Sequence, residues 1–488
     1  MSKSKVGMAP EDEAEATAKS SRWDSIQRCG IPRKIKIDEE KLRRDILIPE
    51  YLCKAMEDAI DKRDATVAGP SSGAEPSGGS EVPKAPLVVF VDFCSCEHRG
   101  QQMMRQLQQF ISKGQVFDLL ATKPSHFVQH GLTCLENLAS QGDKCAEAIR
   151  QNLKIMVAGG DDTVSLVLKS LVELSVHNKK PIPPTGIIPL GTGNDLSRSF
   201  GWGGSIPFAW RSAFKQFLHK AVSNGVKHLD SWRVILMMHE TKERNQSSLL
   251  NTLQNYDLTQ STLLQDEEIQ VQLPESKSFS EGVFYNYFSI GMDAQIAYGF
   301  HHLRQDKPYI AQGPTLNKLI YTGYSCKQGW FCTPCLKTPG LRGLDSILSL
   351  YIKRANKKTW KEIFSPPSVR AIVLLNLDNY AGGGHPWGYP TPEYLEKRSF
   401  YEAHPDDGLL EIFGLKHAWH ASCVMAELSP AVHIAQAAAV KLRLKGGESK
   451  EAYMQMDGEP WKQPIKKEYP NLVIIESTPF QSRIISGK

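Results

Sequence analysis

Three short apolar runs, LVVFV at 87–91, KIMVA at 154–158 and GIIPL at 186–190, are nearly continuous and rich in β-branched residues. Runs of that length and composition suit strands buried on both faces of a parallel sheet. Between the second and third, Val164, Leu166, Val167, Ser170, Leu171 and Leu174 follow a helical pattern. Strand, helix and strand in that order predict a Rossmann-like, doubly wound α/β domain. Beyond Asp230 the period changes. VFYNYFSIG at 283–291, SVRAIVLLNL at 368–377, LLEIFGL at 409–415 and LVIIE at 472–476 are alternating or apolar runs with few helical patterns between them. They predict a β-rich second domain.

The flanking segments read differently. From Asp64 to Pro86 the chain turns to Gly, Ser, Pro and Ala (GPSSGAEPSGGSEVPKAP), too poor in apolar surface to order itself. Before it, Leu42, Ile46, Leu52, Met56 and Ile60 keep helical spacing across an interruption at Pro49, which predicts one or two short helices docked on the main body. Residues 240–281, dense in Gln, Ser, Asn and Glu, lack a sustained period and read as a long surface insertion. The expected division is an accessory segment at 1–63, a linker at 64–86, an α/β domain at 87–235 and a β-rich domain at 236–488. The last strand is a candidate to return to the α/β domain. No internal repeat is visible.

Composition narrows the class. Hydrophobic residues at 41% and charged residues at 23% are ordinary for a globular chain. The net charge of +5, from 58 basic and 53 acidic side chains, is too mild to imply nucleic-acid binding. No apolar run approaches the roughly 20 residues that span a bilayer. The polar, acidic start of the chain lacks a secretory core, and ten cysteines in 488 residues suit a reducing compartment, so a cytoplasmic protein is expected. Cys332 and Cys335 form C-x-x-C near Cys326, and Cys94 and Cys96 form C-x-C. Neither has the second pair that a closed zinc site requires, so ordinary thiols are favoured.

Two glycine loops carry the chemistry. Gly159-Gly160-Asp161-Asp162-Thr163 lies between a buried strand and a helix, where backbone N–H groups can cradle phosphate. Gly191-Thr192-Gly193-Asn194-Asp195 follows the next strand, again at the carboxyl end where open α/β sheets bind ligands. Either loop alone is as well explained as a plain strand-to-helix connection; the pair favours one nucleotide. Neither spacing fits the dinucleotide fingerprint or the ordinary P-loop.

In these loops the sequence resembles the diacylglycerol kinases, and in particular the compact plant type without zinc-finger lipid-binding modules. The likeness runs through PLGTGNDLSRSFGWGG at 189–204, FYNYFSIGMDAQIAYGFHHLR at 284–304, QGWFCTPC at 328–335, DDGLLEIFGLKHAWHAS at 406–422, HIAQAAAVKL at 433–442 and MQMDGEPWKQP at 454–464. It covers the chain from about Leu87 to the carboxyl terminus. The FGWGGSIPFAW and HIAQAAA segments favour diacylglycerol over the related sphingosine and ceramide kinases. The resemblance implies an ATP-dependent lipid kinase that converts 1,2-diacylglycerol to phosphatidic acid. It also implies a nucleotide held between an α/β domain and a β-sandwich domain, and peripheral contact with the membrane that carries the substrate. Basic stretches around Lys353 and Lys357, or Lys462 and Lys466, could meet anionic lipid, although charge runs are usually solvated faces. Protein partners are not indicated.

By the same resemblance, Gly159, Gly160, Asp161, Thr163, Gly191, Thr192, Gly193 and Asn194 contact ATP, and Asp161 and Asp195 help hold Mg2+. Helix capping is the plainer role for the two acids. Asp457 matches the general base and Glu459 supports the substrate hydroxyl or the nucleotide; an Asp-Gly pair is also a common hairpin turn. Asp407 corresponds to a structural metal position in bacterial relatives, or to a plain turn. Tyr285, Tyr287, Phe288 and Tyr298 read as core sooner than as an acyl-chain cleft.

The sequence departs from the family in two places. GGDGT reads GGDDT, with Asp162 for the last glycine, and Ser165-Leu166 stands where plant members usually carry Gly-Trp. The glycine-bearing loop after the first strand is replaced by Asp92-Phe93-Cys94-Ser95-Cys96-Glu97. A left-handed backbone at that position would cost most non-glycine residues about 1–2 kcal/mol, and Asp less. A carboxylate about 4 Å from phosphate is opposed by about 4 kcal/mol at an effective dielectric near 20. Weakened activity is the expectation, and a catalytically impaired relative that binds lipid or a protein partner is the alternative.

Overall fold

The run LVVFV forms β1 (Leu87–Val91), buried at every position. The computed structural model describes residues 37–66, 82–93, 100–176, 181–206, 210–239, 277–306 and 343–488. Along the chain, β1 is followed by β2 (Val116–Asp118), β3 (Lys154–Gly159), β4 (Thr185–Pro189), β5 (Val226–Leu229) and β6 (Trp232–His239). Next come β7 (Lys277–Phe284), β8 (Tyr287–Gly291), β9 (Leu348–Lys353), β10 (Lys361–Ile363), β11 (Ala371–Leu375) and β12 (Leu410–Leu415). The last six are β13 (Val432–Ala437), β14 (Ala439–Leu444), β15 (Glu451–Met456), β16 (Glu459–Pro464), β17 (Asn471–Ser477) and β18 (Ser482–Ile485).

The first sheet runs β2-β1-β3-β4-β18-β5. Its pairs are parallel except the last, between β18 and β5. The helix Asp161–Val176 carries the chain from β3 to β4, so the two glycine loops leave neighbouring strands at the same edge. Two antiparallel sheets make the second domain, in the orders β10-β9-β14-β17-β6-β7 and β13-β12-β11-β8-β15-β16. Phe284, Leu350 and Val440 from one sheet and Phe288, Leu374 and Ile412 from the other share a single apolar core, the arrangement of a β-sandwich. The fold class agrees with the reading from the hydrophobic pattern, while the boundary expected at 235/236 falls inside β6, a strand of the sandwich.

Two local expectations need correction. VFYNYFSIG is not one strand: β7 belongs to one sheet of the sandwich and β8 to the other, and Tyr285 and Asn286 make the corner between them. Alternation alone cannot reveal such a corner, because both sheets bury the same face of the run. The insertion read at 240–281 is too long at its end, since Lys277 to Glu281 lie in β7 and pair with β6; the rest of it falls outside the described residues.

The accessory segment supplies two helices, Glu39–Ile46 and Glu50–Lys62, with the Asp38 side chain capping the first and Pro49 standing just before the second. Leu42, Ile46, Leu52, Met56 and Ile60 are buried in the core of the first sheet. Gln115, fully buried, donates to Ile46 O (2.9 Å) and Leu87 O (2.6 Å) and accepts from Ile48 N (3.2 Å), tying these helices to β1.

The strand corner is held from the partner sheet. Asn376, just past β11, donates its side-chain amide to Tyr285 O (2.7 Å) and to Asp230 O (2.9 Å), and accepts from Trp232 Nε1 (2.8 Å). Its backbone N–H serves Asn286 O (2.9 Å). All of these groups are buried, so Asn376→Ala strands three of them and should destabilise the protein by about 2–4 kcal/mol. Urea denaturation measures this; a change below about 0.5 kcal/mol would contradict the role.

Candidate active site

The two glycine loops touch through their backbones. A Cβ on Gly191 would stand 2.6 Å from Gly160 Cα, so glycine is required where the loops meet. Asn194 adopts a left-handed conformation (φ 56°) and spends its amide on Gly191 O (2.7 Å) and Gly204 O (2.8 Å), which closes the second loop internally. Its side chain therefore shapes the loop from within. Thr192 is exposed at the tip and Gly193 beside it is half-buried.

Asp161 joins the loops. Its carboxylate accepts from Asp195 N (2.8 Å) and Leu196 N (3.1 Å), capping the helix Asp195–Ser199 from the neighbouring loop. Asn286 Nδ2 lies 3.5 Å from the same carboxylate. Asp195, buried, points the other way and accepts from Gly382 N (2.7 Å) and Gly383 N (2.9 Å) of the second domain. Those amides converge because Ala381, Gly382 and Gly383 all have positive φ. Loss of water lifts the Asp161 carboxyl well above the usual range, and the charge of Asp195 lifts it further, against the two backbone N–H groups. Burial likewise raises Asp195, opposed by the Gly382 and Gly383 amides.

Asp457 and Gly458 form the two-residue turn between β15 and β16, with φ of 47° and 87°. The turn is not solvated at the aspartate. Asp457 is buried, and its carboxylate accepts from Tyr285 N (2.9 Å), Asn286 N (2.8 Å) and Tyr287 N (3.1 Å), the amides freed by the strand corner. A fourth donor is Ser165 Oγ (2.9 Å), one turn into the helix that follows the first glycine loop. The hairpin thus reaches across to the α/β domain. Glu459 follows the turn as the first residue of β16. Displaced water raises the Glu459 carboxyl, Lys169 opposes this, and Asp457 and Asp162 add to it.

Asp162 sits in the first turn of the helix Asp161–Val176 and shows none of the left-handed strain expected of it. The helix begins one residue before it, so its backbone is ordinary and an acid there suits the helix dipole. What remains is its charge, exposed at the loop. Thr163 Oγ1 turns inward, 3.3 Å from Asp92 Oδ2. Cys94 to Glu97, and Cys326, Cys332 and Cys335, fall outside the described residues.

Asp407 belongs elsewhere. Its oxygens accept from Leu409 N (2.8 Å) and His404 N (3.2 Å), and its charged neighbours are Glu411 and Asp230 rather than Asp161 and Asp195. Burial pushes its carboxyl up to about 6. Among the described residues no three metal-ligating side chains gather. Tyr285 and Phe288 are fully buried, Phe288 in the sandwich core, while Tyr287 and Tyr298 are half-buried.

Sequence reasoning missed Ser165, Asn286, Asn376 and the 381–383 amides. A signal existed for two of them: an amide inside an apolar run, as in FYNYF and LLNL, marks a buried polar duty. The run Gly382-Gly383-Gly384 after β11 was a further sign.

Comparison with known proteins follows the same division. The family model described as the diacylglycerol kinase catalytic domain matches residues 86–223, and that of the diacylglycerol kinase accessory domain matches residues 283–460. The chain is 52% identical to diacylglycerol kinase 7 of Arabidopsis thaliana, covering 97% of this chain and 96% of that protein. It is 51% identical to diacylglycerol kinase 3 of the same plant, covering 95% of each. Diacylglycerol kinase 1 of Oryza sativa subsp. japonica is 33% identical over 81% of this chain and 78% of its own.

The enclosed acids give a sign for pH dependence. Both folded-state values are raised, so this stability is present below the unfolded value near 3.9 and is lost as pH rises through the folded values. Asp195→Asn keeps an acceptor for Gly382 and Gly383 and removes one charge. Its melting temperature at pH 7.5, with chelator present, should exceed the parent's by a few degrees, and the gap should close toward pH 4. A lower melting temperature at pH 7.5 contradicts this.

Proposed function

Because the chain belongs to the diacylglycerol kinase family, we propose that it transfers the γ-phosphate of ATP to the free hydroxyl of 1,2-diacylglycerol, giving phosphatidic acid. The observation that carries the reading is the Ser165–Asp457 bond, which brings the carboxyl-terminal hairpin to the helix of the first glycine loop. The proposed base then lies beside the helix of the proposed phosphate cradle.

The chemistry needs little beyond position and charge. Backbone N–H groups of Gly159 to Thr163 and of Gly191 to Gly193 are the proposed phosphate contacts. The diacylglycerol oxygen bonds to the γ-phosphorus as the bond from that phosphorus to the bridging oxygen of ADP breaks. The hydroxyl proton passes to Asp457, with Glu459 beside it positioning the hydroxyl.

Asp161 and Asp195 suit magnesium held through water, because two enclosed carboxylates with raised pKa gain from a nearby cation and most of their oxygens already accept backbone N–H groups. Magnesium, when bound, supplies neutralisation of phosphate charge. Asp407 stands apart from these two acids, and its backbone bonds suit a turn.

Contact with the membrane is proposed as peripheral, since the substrate lies in a bilayer and no helix among the described residues is long and apolar enough to cross one. Of the basic stretches, Lys353 lies over Trp360 and Lys462 pairs with Glu451, whereas Lys357, Lys358, Lys466 and Lys467 are exposed and able to meet anionic lipid.

Transfer of labelled phosphate from ATP to diacylglycerol in mixed micelles tests the reading. The parent should form phosphatidic acid, Asp457→Asn should lose it by at least about 100-fold, and Asp162→Gly should gain about tenfold by removing a screened like charge. No product from the parent with recovery in Asp162→Gly would make the chain a catalytically impaired relative, and silence from all three would contradict the kinase reading.

A further inference from the structure

Asp457 has no acceptor site to spare. A carboxylate offers about four lone-pair directions. Here Tyr285 N and Ser165 Oγ take those of Oδ2, and Asn286 N and Tyr287 N take those of Oδ1. A base must present one of them to the hydroxyl it deprotonates. Three of the donors are backbone amides fixed by the corner between β7 and β8, and releasing any of them would undo that corner. The fourth is a side-chain hydroxyl that turns about a single bond. Ser165 is only 2% exposed and lies in a helix, where a released hydroxyl can turn back to the carbonyl four residues earlier, that of Asp161.

We propose that Ser165 is a gate on Asp457: its hydroxyl fills the acceptor position that the diacylglycerol hydroxyl needs, and turnover requires it to turn away. This rests on Asp457 as the base. Ser165 acts through Asp457 and contacts no reacting atom. Its bond also crosses from one domain to the other, so the gate responds to how closely the hairpin approaches the first glycine loop.

The test is steady-state kinetics of the full chain carrying Ser165→Ala or Ser165→Gly, each alone and combined with Asp457→Asn, in both the parent and the Asp162→Gly backgrounds. Thermal unfolding of each variant accompanies the assay. Three amides still hold Asp457 when Ser165 is replaced, so the fold should persist. Removal of one hydrogen bond to a charged group should raise kcat by about tenfold, with KM for diacylglycerol and for ATP changing less than about twofold. In the Asp457→Asn background the same replacement should change turnover less than about twofold. A fall in kcat, or an equal effect with and without Asp457, would overturn the gate while leaving the base in place. Parental turnover in Asp457→Asn would remove the base assignment and the gate together.

Discussion

A strand that passes from one sheet of a sandwich to the other must leave the first ladder before it joins the second, and the amides at the corner lose their partners in a dry place. Here one carboxylate takes all three. Tyr285, Asn286 and Tyr287 give their N–H groups to Asp457, while Asn376 satisfies the carbonyls of Tyr285 and Asn286. An unmade bond at any of these positions would cost about 1–3 kcal/mol, so the hairpin between β15 and β16 is held against the corner. The side chain proposed as the base is therefore also a structural acceptor, and its place is fixed by backbone.

From that corner the contacts lead to the first domain. Asn286 reaches toward Asp161, Asp161 caps the helix of the second glycine loop, and Asp195 of that loop takes the amides of Gly382 and Gly383. The two enclosed acids thus link both glycine loops to the second domain. Such links suit a site that must bring a nucleotide on one domain and an acceptor hydroxyl on the other to a single point. The charge of Asp195 in turn raises the Asp161 carboxyl.

Much of the fold was legible because the signals were local. LVVFV, KIMVA and GIIPL are buried strands by composition, and Gly159-Gly160 and Gly191 to Gly193 fall at their carboxyl ends. The corner at Tyr285 was not legible, since the run around it alternates without a break and its partner lies 172 positions away. Asp162 misled for a related reason. Its strain depended on whether the helix starts before or after it, and a shift of one residue in that boundary changes the answer. Asp457 could be placed in a turn from its neighbour Gly458, but the burial of its carboxylate came only from the corner it serves. Ser165 stood out in sequence only as a departure from the family pattern, and its bond to Asp457 across the domains was not foreseen.

The most direct test of one shared site is amide hydrogen exchange of the full chain with and without ATP and magnesium. Nucleotide should slow exchange at residues 159–163 and 191–196 and, in the same sample, at Tyr285, Asn286 and Tyr287. Protection of the two glycine loops with no change at the corner would contradict the account, because the proposed phosphate cradle and the proposed base would then belong to separate places.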